Sequence, residues 1–218
     1  MNRDSLFAAM AVSRVERRTA ARGAILAAAT EAVAEGGYAA ASVTEVARRA
    51  GVATGSIYRH FPSKGELFAE VFRTAADAEL AFISQIAGDT TKPPAERLAA
   101  ALEAFARRAL AAPTLAWALM AEPVDPAVEQ ARLENKRAYR EVFATLLREG
   151  VEHEELRPLD AELAASALVG AFQEALIGPL ADHTGGDALV ASLVTFALHA
   201  VGHQEERHGR RAAPVEHA

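Results

Sequence analysis

The chain has 218 residues, 51% of them hydrophobic and 24% charged; about a quarter are alanine and 6% aromatic. This composition excludes a disordered chain and leans towards helix, since alanine has the highest helix propensity, and the absence of cysteine excludes a disulfide framework, thiolate zinc and a cysteine nucleophile together. The formal charge of −6 divides unevenly: residues 1–64 hold nine Lys/Arg against five Asp/Glu, net +4, and residues 65–218 hold fourteen against twenty-four, net −10. A small basic end on an acidic body is the electrostatic pattern of a protein that docks on an anion by one end.

The opening stretch, MNRDSLFAAMAVSRVERR, has an apolar patch too short and too broken by charge for a signal peptide or a membrane span, so a soluble cytoplasmic protein is expected. Arg14, Arg17, Arg18 and Arg22 form a basic arm towards a minor groove, or, for the first three, a solvated disordered tail. Residues 18–36 place Ile25, Leu26, Ala29, Ala32 and Val33 on one face of a predicted helix, which Gly36 and Gly37 stop. Ser42-Val43-Thr44-Glu45 is a capping box that opens a short helix to Ala50, and Gly51 ends it. A second short helix runs from about Thr54 to His60. Pro62-Ser63 opens a long helix from Lys64 to about Ala87, and Pro93-Pro94 another to about Leu110. Pro113 and Asp125-Pro126 start two more, the second reaching Glu149 before Gly150. Pro158 to Asp160 opens the next, which Gly178-Pro179 ends or bends, and the last spans about Asp187 to Val201. The polar tail from Gly202 holds three of the seven histidines and is expected to fray. Nothing alternates with the period of a strand, so the expected fold class is all-α.

The strongest local signal is VTEVARRAGVATGSIYRHF, residues 43–61. A helix–turn–helix needs a small residue where its helices cross, which Ala47 supplies, and a residue tolerant of a tight turn four positions on, which Gly51 supplies. Val46, Val52 and Ile57 lock the pair from inside. Thr54, Ser56, Tyr58, Arg59 and His60 give the short second helix an outer face of hydrogen-bonding groups.

From Arg22 to Phe72 the sequence resembles the tetracycline-repressor (TetR/AcrR) family of bacterial transcriptional regulators. The Arg that opens the first helix, the Ile-Leu pair, the Gly-Gly-Tyr turn, and the S-V-T-E-V-A, A-G-V, S-I-Y-R-H-F and S-K-G-E-L-F blocks follow in the family's order and spacing. Ala53 departs from it, standing where the family more often has Ser or another polar cap, with Thr54 next in line to cap. The resemblance implies about nine helices: a helix–turn–helix DNA-binding domain with an N-terminal arm at residues 1–64, then a helical effector-binding and dimerisation domain with a polar tail at 65–218. It implies a double-stranded DNA operator as partner, phosphate contacts from Thr44, Tyr58, His60 and Lys64, and a recognition helix led by Thr54, Gly55 and Ser56. Arg59 reads a base or holds a phosphate. Tyr58 as core filler, His60 as packing between helices, and Arg48 and Arg49 as a solvated face are the plain structural alternatives.

The last two helices are nearly uncharged all round, and one small domain cannot cover both. A homodimer can, by forming a four-helix bundle, as the resemblance implies; Leu168, Phe172, Leu176, Leu193, Val194 and Leu198 are the candidate interface residues. Two central core helices would look the same. Between the long helix and this pair, Phe105, Trp117, Met120, Tyr139 and Phe143, with Gln173, are the candidate lining of a pocket for a small, largely apolar effector, or plain core. No cofactor, metal or membrane partner is expected. No dinucleotide, Walker, zincin or hydrolase motif occurs, so an enzyme would need an unrecognised site. The one Glu-x-x-His pair, Glu205 to His208, lies in the tail, and His199 and His203 read as surface histidines. A helical ligand-binding dimer without a DNA role is the remaining alternative.

Overall fold

A computed structural model describes the backbone of residues 3–203 and the side chains of residues 16–203. Among the described residues there are nine helices and no strand: α1 Arg3–Ala40, α2 Val43–Arg49, α3 Thr54–Ile57, α4 Lys64–Ala87, α5 Pro94–Ala111, α6 Pro113–Met120, α7 Pro126–Glu152, α8 Ala161–Ala181 and α9 Asp187–Ala200. The Glu205–His208 pair lies outside the described residues.

Side-chain caps fix several starts as the sequence implies. Ser42 accepts from the Glu45 N–H at 3.1 Å, Ser63 from the Glu66 N–H at 3.1 Å, and Asp160 from the Leu163 N–H at 3.0 Å. The reciprocal half of the expected capping box is missing, because the Glu45 carboxylate turns instead to Arg48 and Arg49. Gly36 does not stop α1; the break falls at Gly37 alone, at φ 76° and ψ 179°, which a side chain resists. The expected disordered tail is instead backbone-helical, since α1 begins at Arg3.

Two further boundaries differ from expectation. α3 ends at Ile57, and residues 58–60 form a turn whose Arg59 N–H reaches the Ser56 carbonyl at 3.2 Å. α7 passes through Gly150, which is selected by packing rather than as a terminator: a Cβ there would meet Leu156 Cδ1 at 2.7 Å.

Two apolar cores result. The first joins Ile25 and Val33 of α1, Val46 of α2, Ile57 of α3, and Leu67 and Phe68 of α4. It also takes in Ala118 of α6, and Val128 and Ala131 of α7. The second joins Ile83 of α4 to α5, α7, α8 and α9. Thus α4 serves both cores, and α6 touches α1 as well as α8. By length and composition α8 is apolar enough to cross a membrane; in the fold it packs against α5, α6 and α7.

Candidate DNA interface and internal cavity

The helix–turn–helix is built locally. Gly51 turns at φ 66°, and the Val52 N–H reaches the Ala47 carbonyl at 3.0 Å, which brings α3 across α2. Ile57 is buried between them, so the other side of α3 faces outward. Thr44, Thr54, Gly55, Tyr58 and Arg59 are exposed, and Ser56 and His60 are half-buried. Tyr58 is 51% exposed, which removes it from the core. Arg59 donates to Ser56 Oγ at 2.5 Å, and so lies back along α3; among the described residues no acid neutralises it. Ala53 occupies the N-cap position of α3 without a side-chain cap. Burial, then the charges of Arg18, Arg59 and Arg22, hold the His60 imidazole below its usual value.

Arg22, Arg48, Arg49 and Lys64 each have neighbours within the domain, and for Arg48 and Arg49 these fit the expected solvated face. Arg22 donates to Glu70 at 2.7 Å and lies over the Phe61 ring at 5.0 Å, so it ties α1 to α4 rather than extending an arm. Arg49 bridges Glu45 on α2 and Glu35 on α1 at 2.7 Å each, and Arg48 pairs with Glu45 at 2.6 Å. First Arg48, then Arg49, hold the Glu45 carboxyl at about 2, so the group is a solvated ion-pair network. The Lys64 ammonium stands 4.7 Å from the Tyr38 ring and 5.5 Å from that of Phe68.

The same corner carries a clamp that sequence reasoning missed. Glu122, buried just after α6, accepts the backbone N–H of Tyr38 at 2.7 Å and of Ala39 at 2.8 Å. The Tyr38 hydroxyl donates to Asp125, before α7; burial, then this bond, push its pKa up to about 12. A Cβ on Gly37 would meet Glu122 Oε2 at 2.8 Å, so the bare, kinked backbone is what lets the carboxylate in. Arg132 holds the other side of this loop. It is buried, and its guanidinium donates to the carbonyls of Leu119 at 2.9 Å, Ala118 at 3.2 Å and Glu122 at 3.0 Å, and to Glu129 at 2.6 Å. Replacing Arg132 by Met should orphan three carbonyls at the end of α6. A cost of roughly 3 kcal/mol should lower the melting temperature by about 6–12 °C, read by calorimetry. An unchanged melting temperature would mean water replaces the guanidinium without loss.

Between the body helices lies a cavity of about 440 Å³. α4 contributes Phe72, Ala76 and Glu79; α6 contributes Leu115, Leu119 and Met120. α5 adds Phe105 and Arg108, α7 adds Arg132, Asn135, Lys136 and Tyr139, and α8 adds Gln173. Phe105, Met120, Tyr139 and Gln173 of the expected lining are therefore on the wall. Trp117 and Phe143 are not: Phe143 is buried in the second core, and Trp117 packs against that core. Phe105 and Tyr139 meet edge to face, 5.5 Å between centroids. Burial, then the Glu79 charge, push the Tyr139 hydroxyl up, so it is a neutral donor at physiological pH. Glu79 and Arg108 pair at 2.6 Å. No aromatic pattern announced Glu79, Arg108, Asn135 or Lys136; their polarity reads as surface until the helices pack.

The family model of bacterial regulatory proteins, tetR family, matches residues 25–71, and that of the tetracyclin repressor-like C-terminal domain matches residues 91–176. The HTH-type transcriptional repressor KstR2 of Mycobacterium tuberculosis is 31% identical over 150 residues, 65% of this chain and 72% of that protein. The chain belongs to the tetR family. The HTH-type transcriptional activator FasR of Mycolicibacterium smegmatis is 43% identical over 84 residues, and the match spans only 38% of either chain. A Bacillus subtilis FadR solved in complex with stearoyl-CoA superposes with a TM-score of 0.71 at 23% identity, covering 82% of this chain and 98% of that one. RolR solved with resorcinol gives 0.67 at 21% identity, covering 87% and 91%. The chain is thus a helix–turn–helix transcriptional regulator.

In this tetR-family protomer the expected interface residues divide by face. Leu168, Phe172, Leu176 and Leu193 are buried in the chain's own core. Val194 and Leu198 are half-buried, and Val194 packs on that core. The outward face of α8 carries Leu163, Ala167, Gly170 and Gly178, interrupted by Glu174; that of α9 carries Ala188, Ala191, Thr195 and Phe196, all exposed. Leu163 is 67% exposed and Phe196 54%. This is a small-residue surface flanked by two bare apolar side chains.

Proposed function

We propose that the chain is a ligand-responsive repressor that binds a palindromic DNA operator as a homodimer and is released by a small, largely apolar effector. One observation carries this reading: α4 and α6 both wall the cavity, and both pack into the helix–turn–helix core. A ligand that changes their spacing must move the DNA-binding surface or work against that packing. The KstR2 relative, aligned over 72% of its own length, is named a repressor, and proteins of this fold solved with stearoyl-CoA and with resorcinol support a small-molecule effector. Residues 1–64 serve as the DNA-binding unit and 65–218 as the effector and dimer unit. The chain acts on DNA in the cytoplasm and catalyses nothing.

In this reading Thr54, Gly55 and Ser56 lead α3 into the major groove. Thr44, Tyr58, His60 and Lys64 hold phosphates, and Arg59 swings from Ser56 to a guanine edge. The outward faces of α8 and α9 pair with their copies across the two-fold axis, which spaces the two α3 helices about one DNA turn apart.

Fluorescence anisotropy on operator and scrambled duplexes tests the assignment. Replacing Arg59 by Ala should cost about 1–3 kcal/mol on the operator and much less on scrambled DNA. Replacing Lys64 by Ala should weaken both alike. Equal losses for Arg59→Ala would make Arg59 a phosphate contact, and a wild type without preference for any duplex would overturn the reading.

A further inference from the structure

The charges on the cavity wall are unequally matched. Arg108 is paired with Glu79 at 2.6 Å, and Arg132 with Glu129 at 2.6 Å while also serving three carbonyls. Lys136 lines the same cavity half-buried, and among the described residues its ammonium has neither an ion pair nor a hydrogen bond. Asn135, beside it, has no side-chain hydrogen bond either. The cavity therefore presents one unbalanced cation and a free amide on α7. One turn along α7, Tyr139 and Phe105 begin an aromatic wall, continued by the apolar side chains of α4 and α6. A half-buried ammonium without a counter-ion favours an anion over water, because partial desolvation strengthens the pair.

We propose that the effector is an amphipathic monoanion. Its carboxylate is held by Lys136 with help from Asn135, and its apolar body lies against Phe72, Leu115, Leu119 and Met120. This deepens the effector reading given above and rests on it. It also assigns Glu79 a role. By neutralising Arg108, Glu79 leaves Lys136 as the cation that selects the head group, so a dianion finds no second free partner.

The test compares two probes that differ only in the head group, decanoate and decanol, by titration calorimetry on the full-length protein. Wild type should bind decanoate at least about tenfold more tightly than decanol, the scale of one charge-assisted contact. Lys136→Met should erase that preference while leaving decanol affinity unchanged, which a merely damaged pocket would not do. Ala116→Phe, which fills the cavity wall, should weaken both probes. Decanol binding as tightly as decanoate to wild type would overturn the monoanion assignment and leave the effector cavity standing. A preference that survives Lys136→Met but is lost in Arg108→Met would overturn the role given to Lys136. Failure of both probes to bind would count against the cavity as an effector site and so against the reading on which the inference rests.

Discussion

Replacing Phe196 by Glu should turn the proposed dimer into a monomer. The ring is 54% exposed on an uncharged stretch of α9, so the protomer does not need it for its own core. In a two-fold bundle each substitution places a carboxylate at a closed apolar contact, and the symmetric dimer contains two. An unpaired charge there costs several kcal/mol, enough to weaken association by about a thousandfold or more. Sedimentation should give the monomer mass with unchanged helix content. Operator affinity should fall with it, because one helix–turn–helix holds a single half-site. A Phe196→Glu protein that still sediments as a dimer would move the interface off α9. Glutamates at Val194 and Leu198 would be a poorer test, since Val194 also packs inward and the variant would damage the protomer.

The second large effect belongs to Glu122. Its carboxylate is the acceptor for two backbone N–H groups at the α1 kink. Replacing it by Ala should leave both N–H groups unpaired, at about 1–3 kcal/mol each before water enters. Hydrogen exchange should accelerate at residues 37–41 while α8 and α9 stay protected. The loop that Glu122 anchors follows α6, and α6 walls the cavity, so the variant should also respond less to a bound ligand. A wild-type response would leave α4 alone as the route. Glu122→Gln, which keeps one acceptor oxygen, should fall between the two proteins. Unchanged exchange at the kink would show that the clamp contributes nothing.

What the sequence made legible was local. Ser42, Gly51 and Ser63 act within a few residues of themselves, so the helix–turn–helix and the start of α4 could be placed from spacing and caps. What it hid was long-range. Glu122 reads as one acid in a proline-flanked connection, and nothing near it tells that its partners lie 84 and 83 residues earlier. Gly150 looks like a terminator until Leu156 folds back on it. On α8 and α9, apolar residues on every side make the inward and outward faces indistinguishable in the sequence. Leu168 and Phe172 were therefore expected at the surface that Gly170 and Leu163 occupy. The aromatics suggested a cavity, and the fold placed four of the six expected residues on its wall, yet Glu79, Arg108, Asn135 and Lys136 came from helix faces that looked solvated.

The central claim is sequence-specific DNA binding by a two-fold assembly, and binding-site selection from a randomised duplex library at about 0.15 M salt tests it most directly. Recovered sequences should share an inverted repeat with half-site centres about one helical turn apart, and each should hold two chains. Affinity should fall roughly a thousandfold between about 50 and 200 mM salt, as expected for several phosphate contacts in each half-site. Enrichment of no common sequence, with recovered duplexes bound no more tightly than the starting library, would contradict the account.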